Sequence, residues 1–166
     1  MLRRSAEDTE RASIEHINFN PKANEKRKYI RYVIERRNQM DVISTDKAPA
    51  AIGPYSQSVR SGNLLFCSGQ VAIDPSTGKL FGDDIESQTM QVLRNIRGVL
   101  GASGLDLTNV VKTTIFLSDM GNFPVINEIY GNEFGDHRPA RSTVQVARLP
   151  LDVLIEIECI AELKRD

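Results

Sequence analysis

Pro139-Ala140-Arg141-Ser142-Thr143-Val144-Gln145-Val146-Ala147-Arg148-Leu149-Pro150-Leu151-Asp152-Val153-Leu154-Ile155-Glu156-Ile157-Glu158 is the stretch that decides the fold. Two runs of alternating, partly β-branched residues flank a turn at 149–152, which predicts two neighbouring strands. Arg141 opens the first run, and Glu156 and Glu158 lie in the second. Two readings of this pattern stand side by side. On paired strands, a guanidinium and a carboxylate can face one small pocket. The first would fork onto a substrate carboxylate or phosphate and the second would hold or activate a water. The same residues can equally form a cross-strand ion pair on a solvated sheet face.

Upstream of this stretch the chain alternates between the two periodicities. Tyr55–Arg60 and Leu64–Ser68 read as strands joined by a turn at Ser61-Gly62-Asn63. The run Asp74-Pro75-Ser76-Thr77-Gly78 reads as a loop. From Asp84 to Ala102 the period becomes helical, with Ile85, Val92, Leu93, Ile96, Val99 and Leu100 on one stripe and Gly104 placed to end the helix. Val110–Ser118 reads as a strand with Val111, Thr113, Ile115 and Leu117 on one face. Asn122–Phe134 reads as a second helix that turns Phe123, Ile126, either Ile129 or Tyr130, and Phe134 inward. The order ββ-α-β-α-ββ predicts an α+β fold, a mostly antiparallel or mixed sheet with two helices on one face. Neither face of Val110–Ser118 is strongly charged apart from Lys112. The face away from the helices is therefore expected to meet another subunit.

The chain has 166 residues, is 40% hydrophobic and carries a formal charge of -1. One domain with an appendage fits that size. Residues 1–44 hold ten Lys or Arg and few apolar residues, whereas residues 45–166 carry the strand and helix pattern. Within the extension, Asn24–Met40 predicts a helix with Tyr29, Ile30, Val33 and Ile34 on one stripe among basic residues. It reads either as a docking helix or as an unstructured extension. No apolar run approaches membrane-spanning length and no apolar stretch follows the basic start, so a cytoplasmic location is expected. Cys67 and Cys159 fall inside strands and read as buried thiols. The two histidines, His16 and His137, are not near them in sequence, which argues against a metal cluster. A phosphate-binding Gly-rich loop, a dinucleotide fingerprint and a nucleophile elbow are all absent.

The motifs Ala50-Ala51-Ile52-Gly53-Pro54-Tyr55-Ser56-Gln57, Ser68-Gly69-Gln70, Val111-Lys112-Thr113-Thr114, Asn127-x-x-Tyr130, Pro139-Ala140-Arg141-Ser142, Val146-Ala147-Arg148-Leu149-Pro150 and Ile155-Glu156-Ile157-Glu158 occur in order. Together they resemble the RidA (YjgF/YER057c/UK-type) family, from about Lys47 to Glu162. The resemblance implies a trimeric chorismate-mutase-like fold, with about six strands packed on two helices and sites in the clefts between subunits. It also implies hydrolysis of 2-imino acids, such as 2-iminobutanoate and 2-iminopropanoate, to 2-oxo acids and ammonia, without a cofactor. Carried onto this sequence, Arg141 binds the substrate carboxylate. Glu156, with the backbone carbonyl near Thr143, holds the attacking water. Tyr55 closes the pocket from a neighbouring subunit, Ser68 and the Gly69 amide lie near the substrate, and Asn127 shapes the cleft. Thr143 stands where many members carry Cys, and Arg138 where many carry an apolar or aromatic residue. Two alternatives remain: a ribonuclease or translation inhibitor, and a non-catalytic module that binds small carboxylates. In residues 45–166 acidic side chains outnumber basic ones, which argues against a nucleic-acid partner.

Overall fold

The computed structural model describes residues 40–163 without a break, together with Glu25, Arg27, Lys28 and Ile30. Those four are helical, in the stretch where the 24–40 helix is expected. The remainder of that helix up to residue 39, and the rest of the 1–44 extension before Met40, lie outside the described residues. Met40 does not end the helix but opens a strand, β1 (Met40–Ile43). The sheet therefore starts upstream of Thr45, because this segment forms an antiparallel ladder with Ser58–Ser61 in which Val42 faces Val59.

The remaining elements are β2 (Ser58–Ser61), β3 (Leu64–Gln70), the short β4 (Ile73–Asp74) and β5 (Lys79–Leu80), α1 (Ile85–Gly101), β6 (Val110–Leu117), α2 (Phe123–Phe134), β7 (Ala140–Gln145) and β8 (Ile155–Glu162). Six of the strands form one sheet in the order β1-β2-β3-β8-β6-β7, and β4 pairs with β5 separately. All pairings in the six-stranded sheet are antiparallel except β6 with β7. This is the expected α+β arrangement, a mixed sheet with two helices.

Local signals set the element ends. Asp84 caps α1 by accepting from the Ser87 backbone N–H and hydroxyl. Those two bonds hold its carboxyl below the ordinary range. At the other end, Leu105 N–H reaches the Leu100 carbonyl and Gly104 N–H reaches that of Gly101, a Schellman closure with Gly104 at φ +68. The buried stripe of α1 includes Val92, Leu93, Ile96, Val99 and Leu100, as the periodicity predicts. With Ile126, Tyr130 and Phe134 of α2 it covers Leu65 and Cys67 of β3, Ile115 and Leu117 of β6, and Ile155, Ile157 and Cys159 of β8. Cys67 and Cys159 are direct cross-strand partners, free and buried. A hydrogen bond between them, followed by burial, pushes the Cys159 thiol far up, so it stays protonated.

Three sequence expectations change. First, the strands around Arg141 and Glu156 are not paired, because β6 lies between β7 and β8. The connection from β6 to β7 runs through α2, long enough for the parallel crossover that a hairpin cannot make. Second, Val111 is not on the buried face. A bulge between Val110 and Lys112 inserts one residue into β6, so Val110 is buried and Val111 is 42% exposed. Third, Tyr55, Ser56 and Gln57 precede the strand rather than forming it. Gln57, 4% exposed, explains this. Its side-chain amide donates to the carbonyls of Thr45, Ala48 and Pro49, and its carbonyl accepts from Thr45 N–H. One buried side chain thus satisfies the backbone of the irregular lead-in segment.

That segment also lies against α1 at Gly98, where an added Cβ would come within 2.3 Å of the Lys47 carbonyl oxygen. Gly98→Ala gains about 1 kcal/mol of helix propensity. It incurs overpacking of about 1–3 kcal/mol, since the obstacle is backbone. Chemical denaturation should show a net loss of stability, the opposite of what an exposed helical glycine gives.

Candidate functional site

The register of the sheet fixes which face each polar side chain takes. Arg141 pairs with Thr113, whose side chain is buried beneath the helices. Glu156 pairs with Phe116, which has the opposite parity on β6. Arg141 therefore turns to the helical face of the sheet and Glu156 to the open face. The two residues expected in one pocket of one chain belong to two clusters.

The first cluster forms where β7, an edge strand, runs beside α2. The Arg141 Nη2 donates to Asn127 Oδ1 at 2.7 Å. Its guanidinium carbon lies over the Tyr130 ring, 4.8 Å from the centroid, and 5.7 Å from that of Phe123. Contacts of this kind contribute about 0.5–1 kcal/mol at exposed sites and more when desolvated. Tyr130 is buried, and its hydroxyl meets Thr113 Oγ1 at 2.9 Å. Burial raises its phenol above the ordinary value, against smaller opposing effects of the Thr113 bond and the Arg141 charge. The ring therefore stays neutral at physiological pH. Among the described residues the ion pairs are Arg97–Glu133 and Arg148–Asp152. No carboxylate among them is within ion-pair distance of Arg141, which is thus an oriented cation with an amide and aromatic rings for neighbours.

The second cluster is on the open face. The Glu156 side chain lies directly on Gly69, where a Cβ would fall 1.8 Å from Oε1. Burial first, and then the charge of Glu158, raise the Glu156 carboxyl above the ordinary glutamate range. Gly69 is part of an irregularity between Cys67 and Gln70, where the ladder to β8 slips. Ser68 fixes the lead-in segment to this place: its hydroxyl donates to the Ser56 carbonyl at 2.6 Å and its N–H to that of Gln57 at 3.0 Å. Tyr55, one residue further out, is 52% exposed. Ser68, Gly69 and Glu156 are thus brought together, with Tyr55 joined to them through the backbone. Asn127 joins Arg141 instead. Thr143, two residues beyond Arg141 on the same face, has a buried hydroxyl with no hydrogen-bond partner among the described residues. Tyr130 and Gln57 were not among the expected site residues. The signal for Tyr130 was its spacing from Asn127, three residues along one helix face.

A cavity of about 540 Å³ lies elsewhere, lined by Thr108, Asn109, Val110, Val111, His137, Glu162 and Leu163 at the far end of β6. It contains none of the expected site residues, and neither cluster depends on it. Among the described residues no group of His, Cys, Asp and Glu is placed to hold a metal, and no helix is long and apolar enough to cross a membrane.

A mixed six-stranded sheet packed on two helices, with an oriented cation at its edge and a carboxyl of raised pKa on its open face, defines an α+β domain. Comparison with known proteins gives the particular family. Residues 45–163 match the family model described as Endoribonuclease L-PSP. The chain belongs to this family, that of the RidA (YjgF) proteins. Over 123 residues it is 54% identical to Reactive Intermediate Deaminase A, chloroplastic, of Arabidopsis thaliana, covering 74% of this chain and 66% of that one. It is 50% identical over 120 residues to the 2-iminobutanoate/2-iminopropanoate deaminase of Mus musculus, covering 72% and 89%. Among solved structures, TdcF of E. coli with bound serine superposes with a TM-score of 0.71 at 42% identity, over 75% of this chain and 99% of that one.

The carboxyl of Glu156 yields a direct test. A raised folded pKa means that ionisation opposes folding, so the stability held at low pH is lost as pH rises through that pKa. Glu156→Gln should melt at higher temperature than the wild type at neutral pH. The gap should close as acid protonates the wild-type carboxyl. NMR titration should place the Glu156 midpoint above that of an ordinary glutamate, and Glu158→Gln should lower it.

Proposed function

We propose that this protein hydrolyses 2-imino acids, 2-iminobutanoate and 2-iminopropanoate among them, to 2-oxo acids and ammonia. The observation that carries the reading is Arg141, a held guanidinium with free N–H groups and no acidic partner among the described residues. The names of the plant and mouse relatives support it. The enzyme class is a hydrolase acting on a C–N bond, and the chemistry asks for no cofactor.

An imino acid carries a carboxylate beside an electrophilic C=N carbon. Arg141 forks onto the carboxylate and thereby orients the carbon. Water adds to that carbon, and Glu156 accepts the proton it loses. With the imine protonated, this gives the neutral carbinolamine; Glu156 returns its proton to the nitrogen, and as the C–N bond breaks the hydroxyl oxygen forms the C=O group and gives its own proton to Glu156, so the nitrogen leaves as ammonia. A carboxyl with a raised pKa serves both transfers better than an ordinary one, since its affinity for the proton is nearer the working pH. The Thr143 backbone carbonyl, on an edge strand, is the second group proposed to hold the water. Ser68 and the Gly69 amide line the substrate position, Asn127 shapes it, and Tyr55 covers it.

Arg141 and Glu156 face opposite sides of one sheet, so a complete site needs a second subunit. A homotrimer with sites in its clefts meets that need. The open face also carries Phe66, Val111 and Val144, each more than 40% exposed, which favours its burial against another copy. Residues 45–166 are the proposed functional domain, with 1–44 an appendage apart from the β1 strand.

A threonine dehydratase supplying 2-iminobutanoate in the presence of semicarbazide tests this reading. The wild type should suppress semicarbazone formation and Arg141→Ala should not. Glu156→Gln should lose roughly a hundredfold or more in rate. The wild-type rate should fall on the acid side, as pH drops through the raised Glu156 pKa and the base is protonated. Deletion of 1–37, which leaves β1 intact, should preserve activity. If wild type and Arg141→Ala compete equally poorly with the trap, the reading fails. The description of the family model favours a ribonuclease as the second reading. It predicts RNA cleavage that Arg141→Ala abolishes and that weakens steeply with salt.

A further inference from the structure

Helix α2 places Phe123, Asn127 and Tyr130 at i, i+4 and i+7, on one face and beside β7. Each of the three touches Arg141: Asn127 through a hydrogen bond to Nη2, the two aromatic rings through the guanidinium. Tyr130 is held in turn by Thr113, and Thr113 is the direct register partner of Arg141 across β6 and β7. The contacts thus close on themselves: the strand residue paired with the arginine also fixes the ring on which the arginine lies. A long side chain with several free torsions at a sheet edge would otherwise spread over many rotamers.

We propose that Tyr130 and Phe123 are positioning residues for Arg141, aligning the guanidinium so that a carboxylate meets it in plane and edge-on. The proposal rests on the reading of Arg141 as a carboxylate receptor. The guanidinium carbon lies over both rings and Asn127 takes one Nη2 hydrogen, which leaves further N–H groups for a bidentate partner. Helix α2 is thereby part of the binding machinery, although neither aromatic ring donates to the ligand. The ring, more than the hydroxyl, acts on Arg141, since the hydroxyl is turned to Thr113.

The test uses the full chain with 2-oxobutanoate, the stable carboxylate product, as the probe, and Tyr130→Phe, Tyr130→Leu and Arg141→Ala as variants. Tyr130→Leu should weaken probe binding roughly five- to tenfold, whereas Tyr130→Phe should remain within about twofold of wild type. A series of increasingly fluorinated phenylalanines at position 123 should weaken binding stepwise, because fluorine drains the ring face without changing its packing. That gradient is not expected of a merely structural role. A ligand-free arm follows the Arg141 Nε–H by NMR. It should be shifted upfield by the Tyr130 ring in wild type and Tyr130→Phe, and return towards the value of a free arginine in Tyr130→Leu. If Arg141→Ala abolishes binding while Tyr130→Leu and the fluorinated series leave it unchanged, the positioning proposal is overturned and the receptor reading stands. If Arg141→Ala leaves binding unchanged, the receptor reading falls. An unshifted Nε–H in wild type overturns the ring contact itself, whichever result the binding arm gives.

Discussion

Strand β6 is the constraint on which the rest depends. It is hydrogen-bonded antiparallel to β8 on one side and parallel to β7 on the other. The parallel pairing exists because α2 carries the chain across the helical face between the two strands. That crossover packs Ile126, Tyr130 and Phe134 onto the sheet and delivers Asn127 and Phe123 to the edge. It also turns β7 into an edge strand, with a cation on one face and its outer backbone open. The neighbours of Arg141 follow from this placement. A hairpin between β7 and β8 would have given Arg141 a different strand neighbour and separated it from Tyr130.

The open face has a different physical origin. Gly69 leaves a space that a Cβ would fill, and the Glu156 side chain takes that space. A carboxyl held there is partly desolvated and has Glu158 on its own strand, so both influences favour the protonated form. Such an arrangement opposes stability and suits proton transfer, which is the usual relation between a strained or unfavourable feature and function. The Ser68 bonds to Ser56 and Gln57 fix the lead-in segment beside this carboxyl. The buried Gln57 amide holds the same segment from its other side by binding the carbonyls of Thr45, Ala48 and Pro49. An irregular stretch without strand or helix is thereby ordered by two side chains, and Tyr55 is carried at a defined place on the surface.

The two clusters have opposite electrostatic character and are on opposite faces of a single layer. Arg141 is supported by π-electrons and an amide rather than by an anion, so its charge remains available to a ligand. Burial, and then the Glu158 charge, hold the Glu156 carboxyl above the ordinary glutamate range. In the proposed reaction a cation that retains its charge and a carboxyl with a raised proton affinity suit a carboxylate-bearing electrophile. Their separation by a sheet makes the surface of the protomer, with its exposed Phe66, Val111 and Val144, as much a part of the proposed site as the residues themselves.

Periodicity marked both helices and the main strands, but not β1, β4 or β5. The stripe of α1, its Asp84 start and its Gly104 end, the inward Ile126, Tyr130 and Phe134 of α2 and the hairpin around Gly62 follow from spacing and from local hydrogen bonding, and the structure holds them where the sequence places them, whereas Phe123 is only half-buried. The family was legible as well, since its motifs are short, ordered and local. Pairing was not legible. Nothing within 139–158 says that β6 intervenes between its two strands, because the crossover is dictated by how α2 packs and not by the turn at Pro150. A single inserted residue at Val111 put Val110 on the buried face in its place, while Thr113, Ile115 and Leu117 kept the expected face, and a bulge leaves no mark in an alternating pattern. The role of Tyr130 was hidden in the same way: the sequence shows a helical aromatic three residues after Asn127. Only the register of Arg141 against Thr113 turns that aromatic into a neighbour of the cation, because which groups meet across a sheet is decided by long-range hydrogen bonding and core packing, which local sequence does not encode.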